Sequence, residues 1–192
     1  MAVGLLFFVA WFYRRPRRAI PKDARVIVSP ANGRVAVVKR FTKGSLEIPK
    51  WNKAKTRFLT SDVAKSGWFV LIVMAPWHVH HQRAPLAGTV LKTRHTRGRF
   101  RNAMADKAAL ENERNEILMQ TKHGKLKVIQ IAGIFARRIH CSVKKGDKLN
   151  KGEPIGLIGF GSQVALLLPE KTKLEIGAGQ SVLDGQRIGV IK

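Results

Sequence analysis

The sequence predicts a predominantly β protein of the α+β class, folded as a single compact domain with one short helix. Three observations support this prediction. Val- and Ile-rich runs of strand length recur between turn signals, a turn pattern is repeated near the carboxyl terminus, and only one segment has a helical composition. At 192 residues the chain is long enough for one sizeable core and too short for two large domains.

The amino-terminal segment, residues 1–21, joins an apolar run to a basic cluster. The run Ala2 to Tyr13 is almost wholly apolar, and the cluster that follows it contains Arg14, Arg15, Pro16, Arg17 and Arg18. As a helix the run would cover about 18 Å, against about 30 Å of bilayer hydrocarbon. The charges follow the apolar run, whereas a signal peptide has them in front. The segment is therefore predicted to lie at a membrane interface, with a buried first strand or part of a transmembrane segment as alternatives.

The predicted strands are Arg25–Ser29, Arg34–Lys39, Trp68–Ala75, Lys125–Ala132 and Arg138–Val143. The first two flank the turn Pro30-Ala31-Asn32-Gly33, since Asn-Gly is a strong turn pair. The third is continuously apolar, which indicates a buried central strand that ends at Pro76. The predicted helix is Asn102 to Asn115, because this segment is rich in Ala, Met, Leu and Glu.

Two similar turns lie about 33 residues apart in the last fifty residues. Lys145 to Glu153 and Gly177 to Gln186 both contain two glycines around an apolar residue, followed by Glu or Gln. The pattern resembles the half-barrel repeat of biotinyl and lipoyl domains, so a barrel-sandwich-like carboxyl-terminal region is predicted. Those domains carry a cofactor lysine between the halves. Here the intervening segment is Gly159-Phe160-Gly161-Ser162, which alone is a weak signal because a serine after glycine is usually a turn residue.

The chain is strongly basic, with 36 Lys and Arg against 12 Asp and Glu and a net charge of +24. Such a charge favours an anionic partner, either nucleic acid or an anionic bilayer. No nucleic-acid partner is expected, because aromatic residues are not spaced among basic ones as in single-strand recognition motifs. The single Cys141 excludes an internal disulfide framework and any site with several cysteine ligands.

A histidine cluster follows the predicted central strand, in Trp77-His78-Val79-His80-His81. Histidine is the side chain best suited to move protons near neutral pH. In an extended chain His78 and His80 would share one face and His81 would point to the other, so His78 and His80 are candidates for joint proton transfer. A zinc site and a merely structural or solvated cluster are the alternatives. Zinc is disfavoured because adjacent histidines diverge in a strand, and no metal is predicted.

Several segments, in order, resemble motifs of the short bacterial and archaeal type of phosphatidylserine decarboxylase. They are Phe12-Tyr13-Arg14-Arg15-Pro16-Arg17-Arg18, Ser29-Pro30-Ala31-Asn32-Gly33-Arg34-Val35, Val79-His80-His81-Gln82-Arg83-Ala84-Pro85, Phe100-Arg101-Asn102-Ala103, Glu111-Asn112-Glu113-Arg114-Asn115, Gln130-Ile131-Ala132-Gly133, Ala136-Arg137-Arg138-Ile139 and Phe160-Gly161-Ser162. The resemblance covers nearly the whole chain and implies a decarboxylase domain over 22–192.

The resemblance implies that the chain is a zymogen that cuts itself between Gly161 and Ser162. Ser162 would attack the carbonyl carbon of Gly161 through its Oγ, and elimination and hydrolysis would leave a pyruvoyl group at the start of the new chain. The β-chain, 1–161, and the α-chain, 162–192, would stay associated. The pyruvoyl group would form a Schiff base with the amine of phosphatidylserine and accept electrons as carbon dioxide leaves, giving phosphatidylethanolamine.

Other residue roles follow less directly. His80 matches the histidine of the family motif and is the first candidate for general acid or base. His78 and His81 stand where the family more often has other residues, so His78 stays a candidate only because of the histidine pattern. Arg137 and Arg138 are candidates for binding the phosphate of the substrate or anionic headgroups. The alternative for both is a pair of solvated strand residues.

Asn32 departs from the family motif, which has Asp at this position. A carboxylate would orient a catalytic histidine and stabilise its protonated form, and the equivalent loss in serine proteases lowers the rate about 10⁴-fold. Three explanations stay open: Asp62 takes over, Asn32 deamidates to Asp, or the chain is a membrane-binding relative that does not mature.

The expected location is the cytoplasmic side of the cell (inner) membrane, to which the protein would bind peripherally. Self-association into a homo-oligomer is left open.

Overall fold

The computed structural model describes residues 4, 9–42, 44–49, 55–98, 113–133, 138–159 and 162–192. Short strands dominate this part of the chain, and every described pair of strands is antiparallel. The strands are β1 Val26–Val28, β2 Gly33–Thr42, β3 Ser45–Pro49, β4 Lys55–Leu59, β5 Ser66–Met74, β6 His81–Arg83, β7 Gly88–Thr96, β8 Arg114–Thr121, β9 Gly124–Ile131, β10 Ile139–Cys141, β11 Lys148–Leu149, β12 Pro154–Ile158, β13 Ser162–Pro169, β14 Thr172–Leu174, β15 Ser181–Val182 and β16 Arg187–Ile191. Residues 9–12 form a short helix.

One eight-stranded sheet, in the order β11-β7-β8-β9-β13-β5-β2-β15, carries most of the structure. Two three-stranded sheets, β1-β16-β14 and β10-β12-β6, pack against one face and enclose the main hydrophobic core. The β3-β4 hairpin covers part of the other face, over a smaller apolar cluster. The predominantly β fold is thereby confirmed, and β5 and β13 are central strands, since each has a paired neighbour on both sides and is mostly buried.

The strand registers show that the domain is built from two equivalent halves of seven strands each. One half contains β1, β2, β5 and β13 to β16, and the other contains β6 to β12, inserted between β5 and β13. The halves meet through reciprocal hydrogen bonds, since Val28 N donates to Pro85 O at 3.0 Å and Arg83 N donates to Pro30 O at 2.9 Å. The repeated turns of the sequence therefore belong to a duplication that covers the whole domain.

The two repeated turns contain equivalent glycines in the left-handed region of φ. Gly146 and Gly179 have φ of 96° and 90°, and Gly152 and Gly185 have φ of 80° and 82°. These values are strained for residues with a Cβ, which explains why glycine recurs at both positions. The side chain of Ile20 fills the space beside the second glycine of both turns, because a Cβ on Gly152 or Gly185 would lie 2.6 or 2.7 Å from its Cδ1.

The amino-terminal segment is fastened to the domain near the histidine cluster. Arg18 donates to Asp184 Oδ1 at 2.7 and 3.0 Å, and Arg83 donates to Asp184 Oδ2 at 2.6 Å. Arg83 also donates to Pro16 O at 3.0 Å. The Asp184 side chain is fully buried, so the two arginines supply the partners that a buried carboxylate requires.

The structure bears on two predictions, the helix at Asn102–Asn115 and the conformation of the amino-terminal segment. Most of the predicted helix Asn102–Asn115 lies outside the described residues, but Arg114 and Asn115 open strand β8, so a helix does not extend that far. The described helix lies instead at 9–12, within the apolar amino-terminal run, where the alternative of a buried first strand is wrong for these residues. Within the described ranges, no helix has the length and apolar character needed to cross a bilayer.

Candidate active site

Ser162 is the first residue of β13, in the middle of the eight-stranded sheet. It pairs with Met74 across β5, and the next residue, Gln163, pairs with both Val73 of β5 and Ile131 of β9. The side chain of Ser162 is buried, and its Oγ lies 3.5 Å from Met74 Sδ. Gly161 lies outside the described residues. The serine is thus held on the core side of the sheet by strand pairing on both sides of its strand.

His80 lies just before β6, in the loop that follows β5. Its ring is fully buried, and its Nδ1 lies 2.8 Å from the main-chain oxygen of His78. Because a carbonyl oxygen only accepts hydrogen bonds, Nδ1 carries the proton and Nε2 is the basic nitrogen. The Phe12 ring covers the imidazole at 4.2 Å between centroids. Burial, as the main cause, lowers the pKa of His80 to about 4, so the imidazole is neutral at pH 7.

The other two histidines serve different contacts. Strand β6 begins only at His81, and a turn over Pro76 and Trp77 precedes it, so the expected strand face shared by His78 and His80 does not form. The turn is closed by His78 N, which donates to Ala75 O at 3.0 Å, and Ala75 N donates in return to His78 Nδ1 at 2.9 Å. His81 Nε2 accepts from Arg15 Nε at 3.2 Å. Burial is the main cause that lowers the pKa of both rings, with nearby arginines adding to it.

Asn32 lies in the turn between β1 and β2 and is largely buried, at 7% exposure. Arg34 of β2 pairs with Val73 of β5, and β5 pairs with β13. One strand, β5, therefore lies between the strand that follows the turn and the start of β13. This places the turn on the order of 10 Å from Ser162, two strand spacings across the sheet. The following Gly33 is required there, because a Cβ would lie 2.4 Å from Val73 O.

Asp62 is engaged elsewhere, which removes the hypothesis that it replaces the missing carboxylate. Its Oδ2 lies 2.6 Å from the buried Lys127 Nζ. Lys127 pairs with Leu167, which belongs to the smaller apolar cluster under the β3-β4 hairpin. Asp62 is therefore on the opposite face of the sheet from the Ser162 hydroxyl.

A row of three buried amide side chains, which the sequence analysis did not single out, ends beside His80 and Met74. Asn115 Nδ2 donates to Gln130 Oε1 at 2.8 Å, and Gln130 Nε2 donates to Gln82 Oε1 at 2.8 Å. Gln82 Nε2 then donates to His80 O at 2.7 Å and lies 3.8 Å from Met74 Sδ. Asn115, Gln130 and Gln82 are called the amide chain below. The polar Gln130 within the apolar run Val128 to Ala132 was the signal in the sequence that could have revealed it.

Of the two arginines predicted to bind the substrate, the structure describes only one. Arg137 lies outside the described residues, whereas Arg138 is exposed and its main-chain oxygen accepts from Gly159 N at 3.3 Å. Arg138 is thus near the segment that leads into Ser162. Among the described side chains, no group of three His, Cys, Asp or Glu converges as metal ligands would.

The lowered pKa of His80 predicts that stability falls in mild acid. Between about pH 6.5 and 4 the unfolded chain binds a proton that the folded chain does not, so the free energy of unfolding decreases as pH falls through this window. From pH 7 to 5 His80 alone should cost about 1 to 2 kcal/mol. Urea unfolding at both pH values should show a larger loss for the unsubstituted chain than for His80→Gln. Equal losses would contradict the lowered pKa.

Comparisons with known proteins agree with this arrangement. A family model described as phosphatidylserine decarboxylase matches residues 5–190. A protein of Methanocaldococcus jannaschii named "Putative archaetidylserine decarboxylase proenzyme" is 35% identical over 189 residues, which cover 98% of this chain and 92% of the relative. The match spans both halves of the domain, including the turn at Asn32, the histidine cluster and the start of β13. The chain therefore belongs to the phosphatidylserine decarboxylase family.

Proposed function

We propose that the chain matures by cutting itself between Gly161 and Ser162 and then decarboxylates a phospholipid with a serine headgroup. The observation that carries the proposal is the position of Ser162, buried at the start of a central strand, with its hydroxyl on Met74 and with His80 joined to the same Met74 through Gln82. The word "proenzyme" in the name of the relative also supports processing.

The cut would proceed by known serine chemistry. Ser162 Oγ attacks the carbonyl carbon of Gly161 and transfers its proton to a base, for which the neutral His80 is the candidate. The C–N bond breaks, which leaves an ester and an amino group on residue 162. Loss of the Cα proton then expels the Gly161 carboxylate, and water releases the nitrogen as ammonia, which leaves the pyruvoyl group.

The two fragments would remain one folded unit. The α-chain, 162–192, comprises β13 to β16, and β13 pairs along its whole length with β5 and over Gln163 to Leu167 with β9, both in the β-chain, 1–161. Strands β15 and β16 add pairs with β2 and β1. Separating the fragments would expose the main core, because Val164, Leu166 and Leu168 are fully buried.

The surroundings of residue 162 fit a pyruvoyl group. The position is small, buried and next to a polarisable thioether, and the strand pairing that holds it does not depend on the peptide bond to Gly161. Once formed, the group would supply an electron sink for loss of carbon dioxide. His80 would hold or deliver the proton, and the exposed Arg138 would bind the phosphate of the substrate.

The substrate is tested by incubating the protein with phosphatidylserine vesicles, which should yield phosphatidylethanolamine and carbon dioxide. A fully cut protein that leaves the lipid unchanged would contradict the proposal that phosphatidylserine is the substrate.

Asn32 offers a direct test of the turn as part of the site. In place of a carboxylate, the main-chain oxygen of His78 orients the imidazole of His80, which explains how a neutral Asn32 is compatible with cutting. Asn32→Asp adds a negative charge that favours the protonated imidazole, so fragments should form about tenfold faster or more. Pulse-labelled synthesis followed by gel electrophoresis measures the rate. An unchanged rate would mean that the turn does not act on the cut, and an absence of fragments from both proteins would favour the alternative of a relative that does not mature.

The location that we propose is a peripheral one, at the anionic inner face of the cell membrane. Three exposed apolar side chains support it, Val9 at 43%, Tyr13 at 54% and Trp77 at 64%. Arg14 joins the segment to the turn, because its guanidinium lies 3.8 Å from the Trp11 ring centroid and donates to Trp77 O at 2.8 Å. With the net charge of +24, this surface suits an anionic interface.

Replacing both exposed aromatics, Tyr13→Ser with Trp77→Ser, should weaken binding to phosphatidylserine vesicles at least about tenfold, because each ring would lose its burial in the interface. Co-sedimentation with the vesicles measures the effect. Leu59→Ser is the matched control, since Leu59 is also exposed, at 52%, but lies on the β3-β4 hairpin. An equal loss in the control would contradict the assignment of this surface.

A further inference from the structure

The amide chain is unusual because it places three uncharged polar side chains inside the core. Asn115, Gln130 and Gln82 are each at most 1% exposed. Gly156 makes room for the chain, since a Cβ there would lie 2.7 Å from Gln130 Nε2. All three hydrogen bonds run in one direction, with each side-chain NH₂ group donating toward His80. Buried polar groups of this kind are costly unless each finds a partner.

The other half of the domain shows that the fold does not need these amides. The Gln130–Asn115 pair is second from the end of the β8-β9 ladder, and the equivalent pair in the β5-β13 ladder is Leu168–Trp68. Gln82 pairs with Gly156 where Ile27 pairs with Gly189 in the equivalent sheet. The same places are therefore apolar in one half and form a hydrogen-bonded chain only in the half that contains His80.

The end of the amide chain contacts two parts of the candidate active site at once. Gln82 Nε2 donates to the main-chain oxygen of His80 and lies against Met74 Sδ, the atom that the Ser162 hydroxyl also contacts. Gln82 is itself held by Gln130, and Gln130 by Asn115. A rotation of Gln82 would therefore break the link between the His80 main-chain oxygen and Met74 and would leave Ile158 N, which donates to that oxygen at 3.2 Å, as its partner.

We propose that the amide chain is a positioning device, which fixes the His80 backbone and the Met74 thioether so that the imidazole and the Ser162 hydroxyl keep their relative placement. The inference rests on the proposed function, because it names what holds that site together. Asn115, Gln130 and Gln82 are positioning residues here and take no part in the chemistry. Small displacements of reacting groups have large effects on rate, which gives the amides a reason to occupy a place that apolar residues fill elsewhere.

The test uses two variants of the full chain and one control. Gln130→Met breaks the amide chain in the middle, so that Asn115 Nδ2 and Gln82 Oε1 each lose their partner in it. The triple variant Asn115→Leu, Gln130→Met and Gln82→Met removes all three amides, so that no orphaned group remains. Leu168→Met changes the equivalent position of the other half. Each protein is compared for the rate of fragment formation, for stability in urea and for the NMR signals of the His80 imidazole.

We expect Gln130→Met to be less stable and to form fragments about 100-fold more slowly. The triple variant should regain stability but not the rate, and its imidazole signals should be displaced. Leu168→Met should resemble the unsubstituted chain. If the amides served stability alone, the triple variant would regain both stability and rate, which would overturn the inference. If the unsubstituted chain is never cut, the proposed function fails, and unchanged imidazole signals in the triple variant would then overturn this inference separately.

Discussion

Ser162→Ala is expected to leave the 192-residue chain uncut and without decarboxylase activity. Alanine has no oxygen to attack the Gly161 carbonyl, so no fragment and no pyruvoyl group can form. The fold should survive, because the Ser162 side chain contacts only Met74 Sδ among its described hydrogen-bond partners and alanine fits the same space. The expected effect is a complete loss, read as a single full-length band on a denaturing gel and as unchanged phosphatidylserine.

Ser181→Ala is the matched control for this change. Ser181 opens β15 within the same carboxyl-terminal fragment, but its side chain is exposed. The control should be cut and active at the level of the unsubstituted chain. Fragments 1–161 and 162–192 formed from Ser162→Ala would mean that the cut does not use this serine.

His80→Gln is expected to slow fragment formation by about 10²- to 10⁴-fold, the usual contribution of a positioned proton-transfer group. Glutamine is close in size to histidine and offers hydrogen bonds, but it has no basic nitrogen to receive the Ser162 proton. Because the pKa of His80 lies at about 4, the neutral base is fully present at pH 7. In the unsubstituted chain the rate should therefore stay level from pH 7 to about 5 and fall as the pH approaches 4.

His123→Gln provides the comparison for His80. His123 lies in the turn between β8 and β9, at the opposite end of β9 from Ile131, whose pairing partner Gln163 follows Ser162. The substitution should leave the rate unchanged. A similar loss in both variants, or a larger loss in His78→Gln than in His80→Gln, would assign the proton transfer to another group.

The histidine cluster shows where local sequence patterns stop being informative. The apolar run predicted β5 and its end near Pro76, because continuous burial depends on composition. The alternation expected for His78 and His80 did not form, because the chain turns there: His78 N donates to Ala75 O, and the His78 ring accepts from Ala75 N. An alternating sequence pattern gives no information about which main-chain group a histidine ring will bond to, and that bond decides the local conformation here.

The duplication and the amide chain depend on pairing between distant segments. The repeated turns near the carboxyl terminus predicted a barrel-sandwich-like region, and their glycines are confirmed as equivalent by their φ values. The rest of the duplication could not be recognised in the sequence, because β6 to β12 are inserted within the other half and few residues are identical at equivalent positions of the two halves. Gln82 and Gln130 likewise looked like ordinary strand residues, since only the tertiary fold brings β6 beside β9 and closes their hydrogen bond.

The central claim is that Ser162 becomes the first residue of a new chain. Mass spectrometry of the purified protein under denaturing conditions tests it most directly. We predict two fragments, 1–161 and 162–192, the second with an amino terminus blocked as a pyruvoyl group and therefore resistant to Edman degradation. An intact 192-residue mass in a folded protein that leaves phosphatidylserine unchanged would contradict the claim.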